Sequence, residues 1–370
     1  MMQIAGRRIG PDEPMYVIAE LSANHLQDLD LAKEMVRAAA AAGADAVKLQ
    51  TYTPDTITMD SSAPPFLIQE DSLWAGRRLY ELYQDAYTPW EWHPQLASLA
   101  AEVGVHLFSS PFDLTAVDFL EQQDVPAYKV ASFEIIDLEL IRAVARTGKP
   151  LILSTGMASL AEIDEAVRTA RSAGATELAL LRCNSGYPAP VAEMDLRTIP
   201  HMAAAFGVPV GLSDHTRGIE AAVVARTLGA VILEKHFVLD RASGALDAEF
   251  SLEPREFAAM VTSVRAAEQM LGDVRYGPTA AEVPSVRHRR SLFVTEDVAA
   301  GERLSRENLR SIRPGDGLHP RHLDDVLGTP VTRDVPRGTP LTWDLLLADR
   351  DGPADHPTGN VGGQSSKDQR

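Results

Sequence analysis

The sequence has very little cysteine and no long hydrophobic run. Its single cysteine, Cys183, excludes an internal disulfide and a zinc site built from several cysteines. No apolar stretch among the 370 residues reaches the length of a membrane span, and the first residues lack the basic-then-apolar pattern of a signal peptide. We therefore expect a cytoplasmic protein that has no membrane partner.

Positive charge is scarce as well. The chain has 52 acidic and 35 basic residues, and its net charge of −17 argues against nucleic acid or an anionic membrane as partner. Lysine is the rarer base, with only six of the 35 positions. Two of these, Lys48 and Lys129, lie near the ends of predicted strands, where a compact ammonium group would hold an anionic ligand.

Short apolar runs alternate with amphipathic segments over most of the chain. Eight runs, which begin near residues 16, 46, 105, 127, 150, 178, 208 and 231, predict strands. Helices are predicted between them, for example over 30–42 and 138–147, and a last one over 254–271. This alternation predicts a (β/α)8 TIM barrel. An open doubly wound sheet is the alternative, but no Gly-x-Gly-x-x-Gly follows the first run.

The remaining segments indicate further organisation. Residues 51–75 have no sustained period, which predicts a long loop over the site. The TIM-barrel domain is predicted over 1–275, followed by a linker at 276–290 that is rich in Gly, Pro and Arg. In 291–348, Asp-Val-Ala-Ala-Gly at 297–301 is echoed at 334–338 by Asp-Val-Pro-Arg-Gly, which predicts a compact β-rich domain of two related halves. The composition of 349–370 predicts a disordered tail.

Polar residues follow nearly every predicted strand. All strand carboxyl ends of a barrel open on one face, so these residues are expected to meet in one site. His215 and His236 end two neighbouring strands, and such a pair suits a divalent metal that keeps open positions for substrate. The alternative is that both are satisfied histidines at strand ends.

An anion site is expected on the same face. Lys48 and Lys129 would bind a phosphate or carboxylate, and Glu20 or Glu134 would orient water or move protons. The serines expected around the anion are Ser109, Ser132, Ser154 and Ser213. An anion site beside a Lewis acid suits the joining of a phosphorylated enol to an aldehyde.

Lys235 and Asp214 are placed outside this site. Lys235 is out of phase with Glu234 and His236 along its strand, so its side chain should face the helices.

Several strings resemble those of the sialic acid synthase family, over about residues 10–348. They are Ile-Ala-Glu-Leu-Ser-Ala-Asn-His at 18–25, Lys-Leu-Gln-Thr-Tyr-Thr-Pro-Asp-Thr-Ile-Thr at 48–58, Tyr-Thr-Pro-Trp-Glu-Trp-His at 87–93, Ser-Ser-Pro-Phe-Asp at 109–113, Ala-Ser-Phe-Glu at 131–134, Ser-Thr-Gly-Met at 154–157, Gly-Leu-Ser-Asp-His-Thr at 211–216 and Glu-Lys-His-Phe at 234–237. The segment 291–348 is similar to that family's antifreeze-like (SAF) domain. Within the family the strings are most similar to those of the pseudaminic acid synthases, because sialic and legionaminic acid synthases usually carry a Gly-Val-Asn-His-type string where this chain has 21–25.

The resemblance implies an enzyme that condenses phosphoenolpyruvate with the open aldehyde form of an N-acetylated amino sugar and releases phosphate. It implies Mn²⁺ or Mg²⁺ held by His215 and His236, with Glu20 and Glu134 flanking the reacting centre. The residues implied for phosphoenolpyruvate are Lys48, Lys129, Ser132, Ser154, Asn184 and Ser213, and those for the sugar are Gln50, Tyr187 and Asp247. It further implies a domain-swapped homodimer in which Arg313 of one subunit reaches the barrel mouth of the other.

The expected sugar is 2,4-diacetamido-2,4,6-trideoxy-L-altrose, and the expected product is pseudaminic acid. A synthase for N-acetylneuraminic or legionaminic acid remains the alternative within the same class. Outside this class, the sequence also allows a metal aldolase that uses free pyruvate or a non-catalytic barrel that binds a sugar.

Overall fold

A computed structural model describes residues 2–68 and 74–347 of the chain. The chain divides into two compact units, Met1–Gly272 and a second one that begins at Asp273. In the first unit eight parallel strands close into a barrel, in sequence order from β3 to β10. The strands of the chain are β1 (Met2–Ile4), β2 (Arg7–Ile9), β3 (Tyr16–Glu20), β4 (Ala46–Thr51), β5 (His106–Pro111), β6 (Tyr128–Val130), β7 (Leu151–Ser154), β8 (Leu178–Cys183), β9 (Val210–Asp214), β10 (Ile232–His236), β11 (Ser291–Val294) and β12 (Leu309–Ile312). The predicted TIM barrel is confirmed.

Helices connect the barrel strands. They are α1 (Leu29–Ala41), α2 (Pro54–Ile57), α3 (Leu79–Ala86), α4 (His93–Val103), α5 (Leu114–Gln122), α6 (Leu138–Arg146), α7 (Leu160–Ser172), α8 (Thr198–Phe206), α9 (Glu220–Thr227), α10 (Pro254–Leu271) and, in the second unit, α11 (Leu323–Val326). The segment predicted as a long loop contains the single turn α2, and α3 was not predicted at all. Within residues 2–68 and 74–347, no helix combines the length and the hydropathy that crossing a membrane requires.

Side-chain caps fix where several helices begin. Asp28, Asp113 and Asp137 each accept hydrogen bonds from two backbone N–H groups in the first turn of α1, α5 and α6. Ser159 and Glu162 form a reciprocal capping box at the start of α7. Each cap satisfies N–H groups that have no partner inside the helix and stabilises it by about 1 kcal/mol. The local sequence thus sets the length of each loop at the barrel mouth.

The barrel strands are buried on both faces, because helices cover their outer side. Their outward residues pack with the helices into one large apolar core. This arrangement explains why the strands read as continuous apolar runs in the sequence. Most of their polar residues lie toward the carboxyl ends, where the barrel opens.

A short hairpin of β1 and β2 precedes the barrel and was not predicted. Gln3 N donates to Glu177 Oε1 at 2.9 Å, and Arg7 forms an ion pair with Asp45. Glu177 and Asp45 directly precede β8 and β4, so the hairpin lies at the amino end of the barrel, opposite the mouth. Its three-residue strands are too short for a periodic pattern to reveal.

The second unit has an apolar core of its own, built from residues 292–345. The strands β11 and β12 pair antiparallel, and the two repeats that the sequence predicts pair with each other. Val298 N donates to Val335 O at 3.0 Å, and Val335 N donates to Val298 O at 2.8 Å. Equivalent valines of the two repeats therefore meet face to face.

Equivalent aspartates of the repeats also exchange hydrogen bonds. Asp334 Oδ1 accepts from Ala300 N at 2.8 Å, and Asp297 Oδ1 accepts from Arg337 N at 2.8 Å. Each aspartate therefore caps the turn of the other half. The unit has the approximate two-fold relation that a pair of related halves predicts.

The segment predicted as a linker, 276–290, contains the 3₁₀ helix Val283–His288. The tail predicted over 349–370 lies outside the described residues. The domain boundaries derived from the sequence stay predictions.

Candidate active site

Along each barrel strand every second side chain points into the barrel, and those nearest the carboxyl end line its mouth. Glu20 in β3 pairs in register with His236 in β10 and with Lys48 in β4, so these three lie side by side. Glu234 pairs in the same way with Ser213 in β9. The inward polar positions are Glu20, Lys48, Gln50, Ser110, Lys129, Ser154, Cys183, Ser213, Glu234 and His236.

Two lysines and two glutamates form a buried ion cluster in the mouth. Lys48 Nζ lies 2.5 Å from Glu20 Oε2 and 3.6 Å from Glu234 Oε1. Lys129 Nζ lies 3.3 Å from the same oxygen of Glu234. A buried cluster of this kind is stable only when every charge has a partner, and here two positive charges balance two negative ones. An entering anion would therefore share the lysines with the glutamates.

The two glutamates differ in proton affinity. Burial raises the pKa of Glu20 above the usual carboxyl range, although Lys48 opposes it. Burial acts in the same direction on Glu234, but Lys129 and Lys48 outweigh it and lower the pKa of that carboxyl. Glu234 is thus the carboxyl group that ionises more readily and contacts both lysines, whereas Glu20 is the better group to hold a proton.

A cluster of small polar residues lies at or just after the carboxyl ends of β6, β7 and β8. Ser132 Oγ accepts a hydrogen bond from Gly156 N at 3.1 Å. A Cβ at Gly156 would stand 2.2 Å from Ser185 Oγ and 2.8 Å from Ser132 Oγ, so only glycine fits. Ser154 Oγ is buried and has no hydrogen-bond partner in the described part of the chain. A buried hydroxyl without a partner is costly, so a ligand oxygen would stabilise it.

His215 and His236 lie together, with ring centroids 5.2 Å apart. His215 Nδ1 is 2.8 Å from the carbonyl oxygen of Asn184, so Nδ1 donates and Nε2 is left as the acceptor nitrogen. Burial lowers the pKa of His236 well below its usual value, which keeps this imidazole neutral. The Phe250 ring lies 4.9 Å from His236, and the Tyr187 ring lies 4.4 Å from His215. The aromatic rings shield both imidazoles from water.

This pair fits a divalent metal that has two protein ligands. His236 Nδ1 is buried without a hydrogen bond to any described residue, and it lies 3.7 Å from Asp247 Oδ2. Within residues 2–68 and 74–347, no group of three or more His, Cys, Asp or Glu side chains is arranged to hold a metal ion. Two imidazole ligands with oriented rings would leave the other coordination positions to substrate and water oxygens.

A network of hydrogen bonds joins β3, β4 and the loop after β10. Gln50 Nε2 donates to Glu20 Oε1 at 2.9 Å and to Ser22 Oγ at 3.0 Å. Ser22 Oγ in turn donates to Asp247 Oδ2. Burial raises the pKa of Asp247, while the hydrogen bond from Ser22 opposes the rise. Two residues predicted to face the sugar, Gln50 and Asp247, therefore belong to one network.

Asn184, predicted beside phosphoenolpyruvate, directs its side chain to its own loop. Its Nδ2 donates to Glu193 O at 3.1 Å, and its Oδ1 accepts from Gly186 N at 2.9 Å. The side chain shapes the loop whose carbonyl orients His215. These contacts give Asn184 an indirect part in the site.

Ser109, predicted beside the anion, lies on the outer face of β5, in register with Tyr128. Its hydroxyl contacts Thr51 Oγ1 at 2.6 Å. Ser110 takes the inward position and accepts a hydrogen bond from Lys48 Nζ at 3.0 Å. The register explains the difference, since Ser110 pairs with Gln50, which shares the inward face with Lys48.

The pair placed outside the site, Lys235 and Asp214, is fully buried. Lys235 Nζ lies 2.9 Å from Asp214 Oδ2 and also donates to the carbonyl oxygen of Thr216. Asp214 Oδ1 accepts from the backbone N–H of Thr216 at 2.9 Å. These bonds bracket His215 on both sides and fix the turn that presents it.

Glu134 and Arg313 complete the predicted set. Glu134 ends the turn Ser132–Glu134 after β6, and its Oε2 is buried without a partner among the described residues. Burial raises the pKa of Glu134 to about 7, although Lys129 opposes the shift. Arg313 belongs to the second unit and is exposed.

Three residues of the mouth were not predicted: Ser22, Ser110 and Cys183. Cys183 Sγ lies 3.8 Å from His215 Nδ1. The alternation of side chains along β5 and β8 could have predicted that Ser110 and Cys183 point into the barrel. The contacts of Glu234 with Lys48 and Lys129 depend on the barrel geometry, which brings three separate strands together.

The fold and the mouth define a (β/α)8-barrel protein in which two buried lysines and two glutamates lie close to a pair of histidines. The chain belongs to the NeuB family, whose model matches residues 35–276. The SAF domain matches residues 289–347. These matches confirm the resemblance to the sialic acid synthases and the SAF domain after the barrel.

Relatives over nearly the whole chain have synthase names. The chain is 43% identical over 334 residues to the pseudaminic acid synthase of Helicobacter pylori, covering 90% of this chain and 98% of that protein. It is 34% identical to the N,N'-diacetyllegionaminic acid synthase of Legionella pneumophila, covering 92% and 96%. Among solved structures, N-acetylneuraminic acid synthetase from Leptospira borgpetersenii aligns with a TM-score of 0.69 at 30% identity, covering 77% and 94%.

Proposed function

We propose that this protein is a pseudaminic acid synthase. It condenses phosphoenolpyruvate with 2,4-diacetamido-2,4,6-trideoxy-L-altrose and water, and it releases pseudaminic acid and phosphate. The observation that carries this proposal is the buried cluster of Lys48 and Lys129 with two glutamates, set beside a pair of oriented histidines. The 43% identity to the Helicobacter pylori synthase supports the choice of sugar.

The lysines bind the anionic groups of phosphoenolpyruvate. Lys48 and Lys129 are both buried, so each contact to a phosphate or carboxylate oxygen is stronger than it would be in water. Ser132, Ser154 and Ser213 supply hydroxyl groups around the anion, and the unpaired hydroxyl of Ser154 gains a partner when the ligand arrives.

His215 and His236 would hold a divalent metal, Mn²⁺ or Mg²⁺, and the bound metal would polarise the aldehyde oxygen of the sugar. The carbonyl of Asn184 keeps the His215 ring in the required tautomer. Gln50, Tyr187 and Asp247 contact the sugar.

The reaction forms one carbon–carbon bond. C3 of phosphoenolpyruvate attacks the aldehyde carbon, and the aldehyde oxygen takes up a proton. Water then adds at C2, and the C–O bond to the phosphoryl group breaks as phosphate leaves. Glu20 and Glu134, whose pKa values burial raises, are the groups able to hold and transfer the protons.

We also propose an assembly and a location. The barrel domain of 1–275, the linker of 276–290 and the SAF domain of 291–348 would form a domain-swapped homodimer, with Arg313 acting at the barrel mouth of the other subunit. The exposure of Arg313 and the match to the SAF domain support this arrangement. We expect the enzyme to work in the cytoplasm.

A panel of substrates tests the function. We expect phosphate release with phosphoenolpyruvate, Mn²⁺ and the trideoxy-L-altrose sugar, and much lower kcat/KM with N-acetylmannosamine or with the legionaminic acid precursor. Higher kcat/KM with either of those sugars would move the protein to an N-acetylneuraminate or legionaminate synthase. Turnover with free pyruvate would indicate an aldolase, and binding without turnover would indicate a non-catalytic barrel.

The variant His236→Ala tests the metal site. We expect kcat to fall by about 100-fold or more and Mn²⁺ binding measured by calorimetry to weaken, because one of two imidazole ligands is lost. The exposed His201 on α8 provides the control, since His201→Ala should change neither quantity. Wild-type metal affinity in His236→Ala would remove this histidine from the site.

A further inference from the structure

Ser22 has a backbone conformation that its side chain disfavours. Its φ angle is 45°, in the left-handed region, where the Cβ of a non-glycine residue approaches the following carbonyl oxygen. The residue is 3% exposed and lies two positions after Glu20, the last residue of β3. Glycine would adopt this conformation without strain, so the serine side chain must offer something that outweighs the strain.

The hydroxyl of Ser22 uses both of its hydrogen-bonding capacities. It donates its proton to Asp247 Oδ2 and accepts a hydrogen bond of 3.0 Å from Gln50 Nε2. Asp247 lies in the loop after β10 and Gln50 lies in β4, so one oxygen atom connects three separate parts of the barrel mouth.

These contacts determine the orientation of the Gln50 amide. Its Nε2 faces Glu20 Oε1 at 2.9 Å as well as Ser22 Oγ, and neither oxygen offers a proton to Gln50 while Glu20 is ionised beside Lys48, because Ser22 donates its only proton to Asp247. The amide therefore cannot turn around without placing its oxygen against Glu20. Its Oε1 has no donor among the described residues, and it remains available to a hydroxyl or amide N–H of a ligand.

We propose that Ser22 is a positioning residue for the amino sugar, which holds Gln50 and Asp247 as one recognition unit. This inference rests on the proposed function, because the ligand is the sugar of that reaction. The unit presents acceptor oxygens to the hydroxyl and acetamido N–H groups of the sugar. Phosphoenolpyruvate binds to the lysines instead, so its affinity does not depend on Ser22.

Two substitutions at one position separate the hydroxyl from the backbone. Ser22→Gly removes both the hydroxyl and the strain, whereas Ser22→Ala removes only the hydroxyl. We expect both variants to raise KM for the sugar by about tenfold and to leave KM for phosphoenolpyruvate within about twofold. We expect Ser22→Gly to have a higher Tm than Ser22→Ala, because it alone relieves the left-handed conformation.

A double-mutant cycle with Gln50→Ala tests whether Ser22 acts through its neighbour. We expect Ser22→Gly to raise the sugar KM by a clearly smaller factor in the Gln50→Ala background than in the wild-type background, because only Asp247 is then left for Ser22 to hold. Ser110→Ala serves as the matched serine variant on the anion side, and it should raise KM for phosphoenolpyruvate rather than for the sugar.

The outcomes that contradict the inference are distinct. An unchanged sugar KM in both Ser22 variants, or an equal rise in KM for both substrates, would show that the hydroxyl has only a structural part. Fully additive effects in the cycle would exclude action through Gln50. If the wild-type enzyme turns over no sugar of the panel, the proposed function fails first and the role of Ser22 fails with it.

Discussion

Glu134 is a carboxyl group held where its charge is poorly stabilised. Its Oε2 is buried without a partner among the described residues, and burial raises its pKa to about 7. Glu234, by contrast, lies between two ammonium groups that lower its pKa. The same residue type thus provides a fixed anion at one position and a group that exchanges protons near neutral pH at another.

The variant Glu134→Gln should show how far the buried, ionised carboxyl group of Glu134 lowers the stability of the protein. Because the carboxyl binds its proton more tightly in the folded chain than at its ordinary pKa of 4.5, the free energy of unfolding falls as pH rises from about 4.5 to about 7. Glutamine has no carboxyl group to ionise, so the variant lacks this fall in the free energy of unfolding. We expect the stability of the variant relative to wild type to increase by about 2 kcal/mol between pH 5 and pH 8, as measured by urea unfolding.

The exposed Glu139 on α6 offers a control for that experiment. Glu139→Gln should show no such change across the same pH range. A stability difference between Glu134→Gln and wild type that is independent of pH would contradict the raised pKa.

At the scale of single elements, the turn after β9 depends on a buried ion pair. Lys235 in β10 reaches Asp214 and the carbonyl of Thr216, and these contacts enclose His215. Both charged side chains are fully buried on the outer face of their strands. Removing one partner would leave the other as an unpaired charge inside the protein.

Lys235→Met should therefore destabilise the protein by about 3 kcal/mol or more, as measured by thermal or urea unfolding. The double variant Asp214→Asn/Lys235→Met should regain most of that loss, because asparagine keeps the acceptor for Thr216 without leaving a buried charge. The single variant should also bind Mn²⁺ more weakly, since the turn that carries His215 loosens. A double variant no more stable than the single one would contradict this account.

The sequence predicted the barrel because eight apolar runs recur at the spacing of strand and helix. It did not predict the hairpin of β1 and β2 or the helix α3, because short segments lack a sustained period. Within the site, Ser109 was predicted because it follows an apolar run, although side chains alternate between the two faces of a strand. Ser109 and Ser110 are neighbours in β5, yet only Ser110 shares a face with Lys48. Other contacts of the site join residues that are far apart in the sequence, so the sequence alone does not predict them. Examples are the ion pairs of Glu234 with both lysines and the hydrogen bond from Ser22 to Asp247.

At the scale of the whole molecule, the proposed exchange of domains has a direct test. Arg313→Ala should raise KM for the sugar by about tenfold while Tm stays unchanged, because the side chain is exposed in its own unit. When this variant is mixed with His236→Ala, allowed to exchange subunits and assayed at a sugar concentration well below the wild-type KM, the mixture should have about a quarter of wild-type activity, since half of the dimers are mixed and each has one complete site.

Arg306, exposed in the same unit, provides the control, and Arg306→Ala should leave KM unchanged. If the mixture of Arg313→Ala and His236→Ala has no more activity than its components, Arg313 acts within its own chain.

In the second unit, each of the two equivalent aspartates caps a turn of the other half, and this makes the two halves depend on each other. Asp297 accepts a hydrogen bond from the backbone of the second half and Asp334 accepts one from the backbone of the first, so each half depends on the other for one hydrogen bond of its turn. A single half would expose unbonded amide groups and an uncovered apolar face. Either half therefore relies on the other both for backbone hydrogen bonds and for the cover of its apolar side chains.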